Sequence, residues 1–194
     1  MKLCGLTGGV GMGKSTAAGF FLQLGARVVD TDQLARELVL PEQPALAEIR
    51  REFGENLVAA DGRLNRDELA RLVFSDAWAR KKLEAILHPR IRECWQAQVE
   101  RWRMEGRPLA LVVIPLLFET AAETCFDKII CVACSAVGQR ERLLARGWAA
   151  DQIQSRIAAQ LPAEQKMNRS QFVIWTEGSP EVHRQQVERI LARL

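Results

Sequence analysis

Near the start of the chain the stretch Gly8-Gly9-Val10-Gly11-Met12-Gly13-Lys14-Ser15-Thr16 contains the pattern G-x-x-x-x-G-K-[ST] without a mismatch. Residues of these types at this spacing bind phosphates. Glycines allow successive backbone N–H groups to turn inward around phosphate oxygens, where a Cβ would obstruct the approach. Lys14 supplies a mobile positive charge for the β- and γ-phosphates, and the Ser15 hydroxyl is a candidate ligand for Mg²⁺. The pattern predicts binding of a nucleoside triphosphate. Phosphoryl transfer also needs a carboxylate to receive the acceptor's proton and cations for the charge in flight. Candidates for the first are Asp30 and Asp32, and for the second Arg140, Arg142 and Arg146. Each set has a plainer alternative. The acids could form an exposed turn that caps a helix, and the arginines a solvated helix face.

These residues need elements to hold them in place. Leu3 to Leu6 reads as a buried strand leading into the loop, and Thr16 to Leu24 as the helix that follows, stopped by Gly25. Arg27-Val28-Val29 reads as a second strand ended by Asp30-Thr31-Asp32, which makes a βαβ unit and hence a parallel sheet. From Gln33 to Gly106 apolar residues recur at helical spacing, punctuated by Pro41, Pro44 and Pro89, so a helical insertion is expected there. Leu109 to Ile114 is apolar throughout, as suits a strand covered on both faces, and Ile129 to Val132 reads as the fourth strand. Ser135 is a candidate N-cap for a helix running to Arg146, on which Arg142 and Arg146 share a face. A second helix over Asp151 to Gln160, a fifth strand at Phe172 to Trp175 and a last helix from Ser179-Pro180 complete the chain.

The expected architecture is α/β: a P-loop NTPase-type three-layer fold with a five-stranded parallel sheet. Residues 1–32, 108–134 and 170–194 would form the nucleotide-binding core, 33–107 the helical acceptor-binding insertion and 135–169 a helical lid. A net charge of +3, from 27 basic and 24 acidic residues, is too mild for a protein that coats nucleic acid. No apolar run reaches membrane-spanning length and no leader precedes the first strand, so a cytoplasmic location is expected. Cys131-x-x-Cys134 lacks a second pair, and with two histidines in the chain it reads as buried packing rather than a zinc site.

Several of these stretches, taken together in order, resemble the bacterial dephospho-CoA kinase family over nearly the full length. They are Gly5 to Thr16, Val29-Asp30-Thr31-Asp32 with Ala35-Arg36, and His88-Pro89. Pro115-Leu116-Leu117-Phe118-Glu119, Gln139-x-x-Arg142-x-x-x-Arg146 and Arg156-Ile157-x-x-Gln160 follow. The resemblance implies ATP-dependent phosphorylation of the ribose 3′-hydroxyl of dephospho-CoA. By carry-over, Asp32 is the general base, Lys14 and Arg142 stabilise the transferring phosphoryl group, and Ser15 holds Mg²⁺. Gly8, Gly9, Gly11, Met12, Gly13, Lys14, Ser15 and Thr16, with Arg142 and Arg146, would bind ATP. Asp32, Arg36, His88, Pro115, Leu116 and Leu117 would contact the acceptor, although His88-Pro89 also reads as a helix boundary. The family carries Ala-Asp before the fifth strand and Asn after it, where this chain has Ser170-Gln171 and Thr176, near the expected place of the adenine.

Another small-molecule kinase of the same architecture, such as a nucleoside monophosphate kinase, shares loop and lid and is the nearest rival. A regulatory GTPase would carry Asn-Lys-x-Asp and Asp-x-x-Gly motifs, which do not occur. ATP and dephospho-CoA are the expected partners of a monomer or weak homo-oligomer that binds neither nucleic acid nor membrane.

Overall fold

The computed structural model describes residues 1–194, the side chain of Phe74 excepted. Five parallel strands form one sheet: β1 (Lys2–Thr7), β2 (Arg27–Asp30), β3 (Leu109–Val113), β4 (Lys128–Ala133) and β5 (Phe172–Trp175), in the order β2-β3-β1-β4-β5. Leu6 lies in register with Val113 on one side and Ile130 on the other. β3 is buried at every position, which explains its unbroken apolar sequence. The chain leaves β1 towards β2 and leaves β4 towards β5, so the carboxyl ends of β1 and β4 flank a switch point where α/β sheets bind ligands.

Helix α1 (Lys14–Gln23) follows β1 and buries Ala17 and Phe21 completely. They join Leu6, Leu111, Ile130 and Ile174 of the strands, and Val187 and Ile190 of the last helix, in one core. The α1 C-terminus closes with a Schellman pattern: Ala26 N–H returns to Phe21 O and Gly25 N–H to Leu22 O, with Gly25 at φ +95°. The chain forms two compact units, Met1–Asp30 with Arg101–Leu194, and Thr31–Glu100.

The second unit is helical, with α2 (Thr31–Glu37), α3 (Pro44–Phe53), α4 (Arg66–Ser75) and most of α5 (Ala77–Met104). Its own core gathers Val39, Ala45, Ile49, Leu57, Leu69 and Ile86. The extended pairing described within it is a single bridge between Val58 and Leu64. One expectation needs correcting here. Pro89 does not end a helix but stands inside the 28-residue α5. A proline there removes one N–H from the ladder and crowds the preceding turn. The carbonyl left without its helical donor is that of Ala85; one residue on, Arg90 donates to Ile86 O at 2.6 Å and pairs with Glu48 of α3 at 2.5 Å, which ties this turn of α5 to α3.

In the first unit β4 leads into α6 (Ala136–Ala145), and α7 (Ala150–Ala158) and α8 (Ala163–Asn168) come before β5. Ser135 caps α6 as expected, its hydroxyl accepting from Gly138 N at 3.0 Å. The six-residue α8 was not foreseen from the sequence. Helix α9 (Pro180–Leu191) is capped by Ser179, with proline at its first position. Among the described residues no helix is long and apolar enough to cross a membrane.

Candidate active site

The phosphate loop joins β1 to α1. Gly8 has φ +144°, and a Cβ there would stand 2.2 Å from Val132 O, so the loop can pass the end of β4 only as glycine. Gly11 has φ +75°, and a Cβ there would stand 2.9 Å from Leu143 Cγ. Gly13 stands at the N-cap of α1 without a side-chain cap, and no acid occupies the first turn. The N–H groups of that turn are thus left for an anion. Lys14 Nζ donates to Gly8 O at 2.9 Å and Gly9 O at 3.0 Å, folding its charge back over the loop. Ser15 and Thr16 are exposed in the first turn of α1, whereas Met12 is buried and offers the loop its backbone.

Three residues far along the chain fix the loop's shape. Both backbone groups of Val10 are held by glutamine side chains. Val10 N donates to Gln160 Oε1 at 2.9 Å, and Val10 O accepts from Gln139 Nε2 at 2.7 Å. Thr176 Oγ1 donates to Met12 O at 3.0 Å. The same hydroxyl accepts from Arg142 Nη1 at 2.6 Å, while Nη2 reaches Thr176 O at 2.5 Å. Arg142, placed on α6 as the sequence suggested, is therefore tied to the phosphate loop through one intervening residue. Glu177, next along, accepts from the backbone and hydroxyl of Ser135 and from Trp175 Nε1. The Ser135 hydrogen bonds hold its carboxyl below the usual carboxylate range. Arg146 is exposed at the C-cap of α6.

A fully buried lysine holds the segment after β3. Lys166 of α8 donates to Pro115 O at 2.7 Å and pairs with Glu119 at 2.8 Å. Pro115 O also accepts from Thr7 Oγ1 at 3.2 Å, and Glu119 accepts from Leu161 N at 2.7 Å. A buried cation with these acceptors pins the segment after β3. Pro115 and Leu116 are half-buried in that segment. Leu117 is wholly buried beside Gly5 and Phe126, so the expected contact of its side chain with an acceptor is corrected: it belongs to the core. Cys131 and Cys134 are buried as well. Desolvation pushes the Cys131 thiol up to about 11 and raises that of Cys134, so both stay protonated near neutrality, as packing residues should.

The remaining expected residues stand on the helical unit. Asp32 lies in the first turn of α2, not in a turn at the strand's tip, because the helix starts at Thr31 directly after β2. Asp32 and Arg36 are exposed, and His88 is exposed on α5 beside Pro89. Among the described residues no group of three or more His, Cys, Asp or Glu is placed to hold a metal.

Known proteins can now be set beside this geometry. The family model for dephospho-CoA kinase matches residues 2–181. The chain belongs to the dephospho-CoA kinase family. A dephospho-CoA kinase of Anaeromyxobacter dehalogenans is 43% identical, covering 100% of this chain and 92% of its own. That of Moorella thermoacetica is 44% identical over 96% of this chain and 89% of its own. A crystal structure from Thermus thermophilus superposes with a TM-score of 0.86 at 35% identity, covering 100% of this chain and 97% of the other. A shikimate kinase of Bacteroides thetaiotaomicron, at 16% identity and a TM-score of 0.52, covers 100% of this chain and 99% of its own and shares the fold alone.

The loop, Lys14 and Arg142 stand out in the sequence, and the structure ties Lys14 to Gly8 and Gly9 and Arg142 to Thr176. Gln139 and Gln160 enter through the resemblance alone, and no pattern in the sequence shows that they hold Val10. Lys166 left no signal, since nothing in the sequence separates a buried lysine from a surface one.

Proposed function

We propose that the chain transfers the γ-phosphoryl group of ATP to the 3′-hydroxyl of the ribose of dephospho-CoA, giving CoA and ADP, the last step of CoA biosynthesis. The observation that carries this reading is the family match over residues 2–181 in a chain whose phosphate loop is complete. The loop amides and the α1 N-terminus bind the polyphosphate tail. Lys14 and Arg142 neutralise the charge that spreads over the transferring group, which is where most of the rate is gained in phosphoryl transfer. Asp32 accepts the proton of the attacking hydroxyl as the new O–P bond forms and the bond to the β-phosphate oxygen breaks. Arg36, His88, Pro115 and Leu116 contact the acceptor, and Arg146 the nucleotide.

The donor set fits Mg²⁺. Ser15 presents an exposed hydroxyl oxygen at the helix start, a hard ligand of the kind the ion takes together with water and phosphate oxygens. Bound there, the ion would offset phosphate charge. The reaction belongs in the cytoplasm, where both substrates are soluble. ATP consumption measured with and without dephospho-CoA tests the proposal. Consumption that needs dephospho-CoA supports it; consumption indifferent to dephospho-CoA, or a preference for AMP as acceptor, would overturn it.

A further inference from the structure

The helical unit carries a recess of about 370 Å³ lined by Gln33, Arg36 and Glu37 of α2, by Leu40 just beyond it, and by Arg66 at the start of α4. Two guanidinium groups therefore meet one carboxylate. That carboxylate is engaged along its own helix, since Gln33 Nε2 donates to Glu37 Oε1 at 3.0 Å. Arg66 Nη2 donates to Arg36 O at 3.4 Å, which draws the α4 arginine against the last turn of α2. This contact uses one of the five N–H donors that a guanidinium carries. Leu40, 49% exposed, adds an apolar surface to the recess.

We propose that Arg66 and Arg36 form a subsite for the diphosphate bridge of the acceptor. The inference rests on the function proposed above: it assigns Arg36, an acceptor contact there, to one part of the substrate and adds Arg66 beside it. Asp32 and Arg36 are four apart on α2 and so share a face, about 6 Å apart along the axis. In dephospho-CoA the hydroxyl to be phosphorylated and the diphosphate hang from one sugar, separated by C3′, C4′, C5′ and O5′. That span is comparable to one helical turn. An acceptor that offers its 3′-hydroxyl to Asp32 thus brings its diphosphate level with Arg36 and the recess beyond. Planar guanidinium forks match paired phosphate oxygens bidentately, and two forks suit two phosphates. The apolar surface of Leu40 then meets the pantetheine arm.

Steady-state kinetics with both substrates varied decide the matter. Arg66→Ala should raise KM for dephospho-CoA roughly ten- to a hundredfold, as loss of charged hydrogen bonds does, with kcat and KM for ATP within about twofold. Arg66→Lys should recover only part of the loss, because a point charge cannot form the fork. An arginine that merely steadies the end of α2 would act through Asp32. Its loss would lower kcat and leave KM for the acceptor alone, and that outcome overturns the subsite, as does an unchanged KM. If Arg66→Ala does not fold, Arg66→Lys decides alone: a raised acceptor KM supports the subsite and an unchanged one overturns it. A wild-type chain that does not turn over dephospho-CoA overturns the proposed function itself, whereas normal turnover with an indifferent Arg66 overturns the subsite only.

Discussion

The phosphate loop and the helical unit are built on different principles. In the loop the ligand-facing groups are main-chain amides, and side chains from elsewhere lock the main chain. Gln139, Gln160 and Thr176 each bond it at 3.0 Å or less. In the helical unit the candidate groups are the exposed side chains of Asp32, Arg36, Arg66 and His88, carried by helices that a separate apolar core holds in place. A site made of backbone imposes residue types, since only glycine takes the conformation of Gly8 beside Val132 O. A site made of exposed side chains imposes none on its neighbours. The first is therefore loud in sequence and the second quiet.

The largest test of this contrast falls on the helical unit. Asp32→Asn should bind ATP normally yet lose roughly 10²–10⁴ in kcat, measured by coupled ADP release, if the carboxylate is the base. Near-normal turnover would reduce Asp32 to a helix-start residue and leave the unit with binding duties alone. On the loop's side, Lys166→Ala should cost stability, because it empties a fully buried side-chain site, removes a donor from Pro115 O and takes away the ion-pair partner of Glu119. A loss of about 3 kcal/mol is expected, or roughly 6–12 °C in Tm by calorimetry. A Tm within 2 °C or so of wild type would show that the segment after β3 does not depend on the pair. Gln139→Leu should raise KM for ATP about tenfold through a loosened Val10 carbonyl, with KM for dephospho-CoA unmoved. Together with Arg66→Ala it forms a mirrored pair, and a shift of both KM values in either variant would blur the division.

The smallest effect concerns His183 on α9, which packs edge-on against Phe20 with ring centroids 5.2 Å apart and has a buried Nε2 without a hydrogen-bond partner. Burial first, then the Arg142 charge, lower its pKa below the ordinary value. The unfolded chain thus binds this proton more readily than the folded one. The stability it supports is present above about pH 6.5 and is lost as pH falls through the folded pKa. The fall in Tm below that pH should be shallower in His183→Phe, and parallel curves would show that another group sets the acid limit.

Particular residues show why the reading from sequence went as far as it did. The apolar run at Leu109–Val113 gave its strand away because both of its faces are covered. Ser135 and Ser179-Pro180 marked two helix starts because capping is local chemistry. Pro89 misled because a proline that usually marks a helix boundary can also be carried inside a long helix, and here α5 continues through it to Met104. Leu117 was read as a ligand contact because its burial beside Gly5 is a property of packing. Arg66 went unnoticed for the same reason: the recess that gives it meaning exists only once α2 and α4 are folded together.

The grip on Val10 also bears on how the protein is made. The motif is synthesised well before the residues that shape it: the glutamines arrive 129 and 150 positions later, and Thr176 sits 164 positions beyond Met12. A nascent chain halted before residue 139 holds the motif without any of these three braces, and one halted before residue 176 still lacks Thr176. The phosphate loop is thus fully braced only once all five strands of the sheet have been synthesised, since Thr176 directly follows β5.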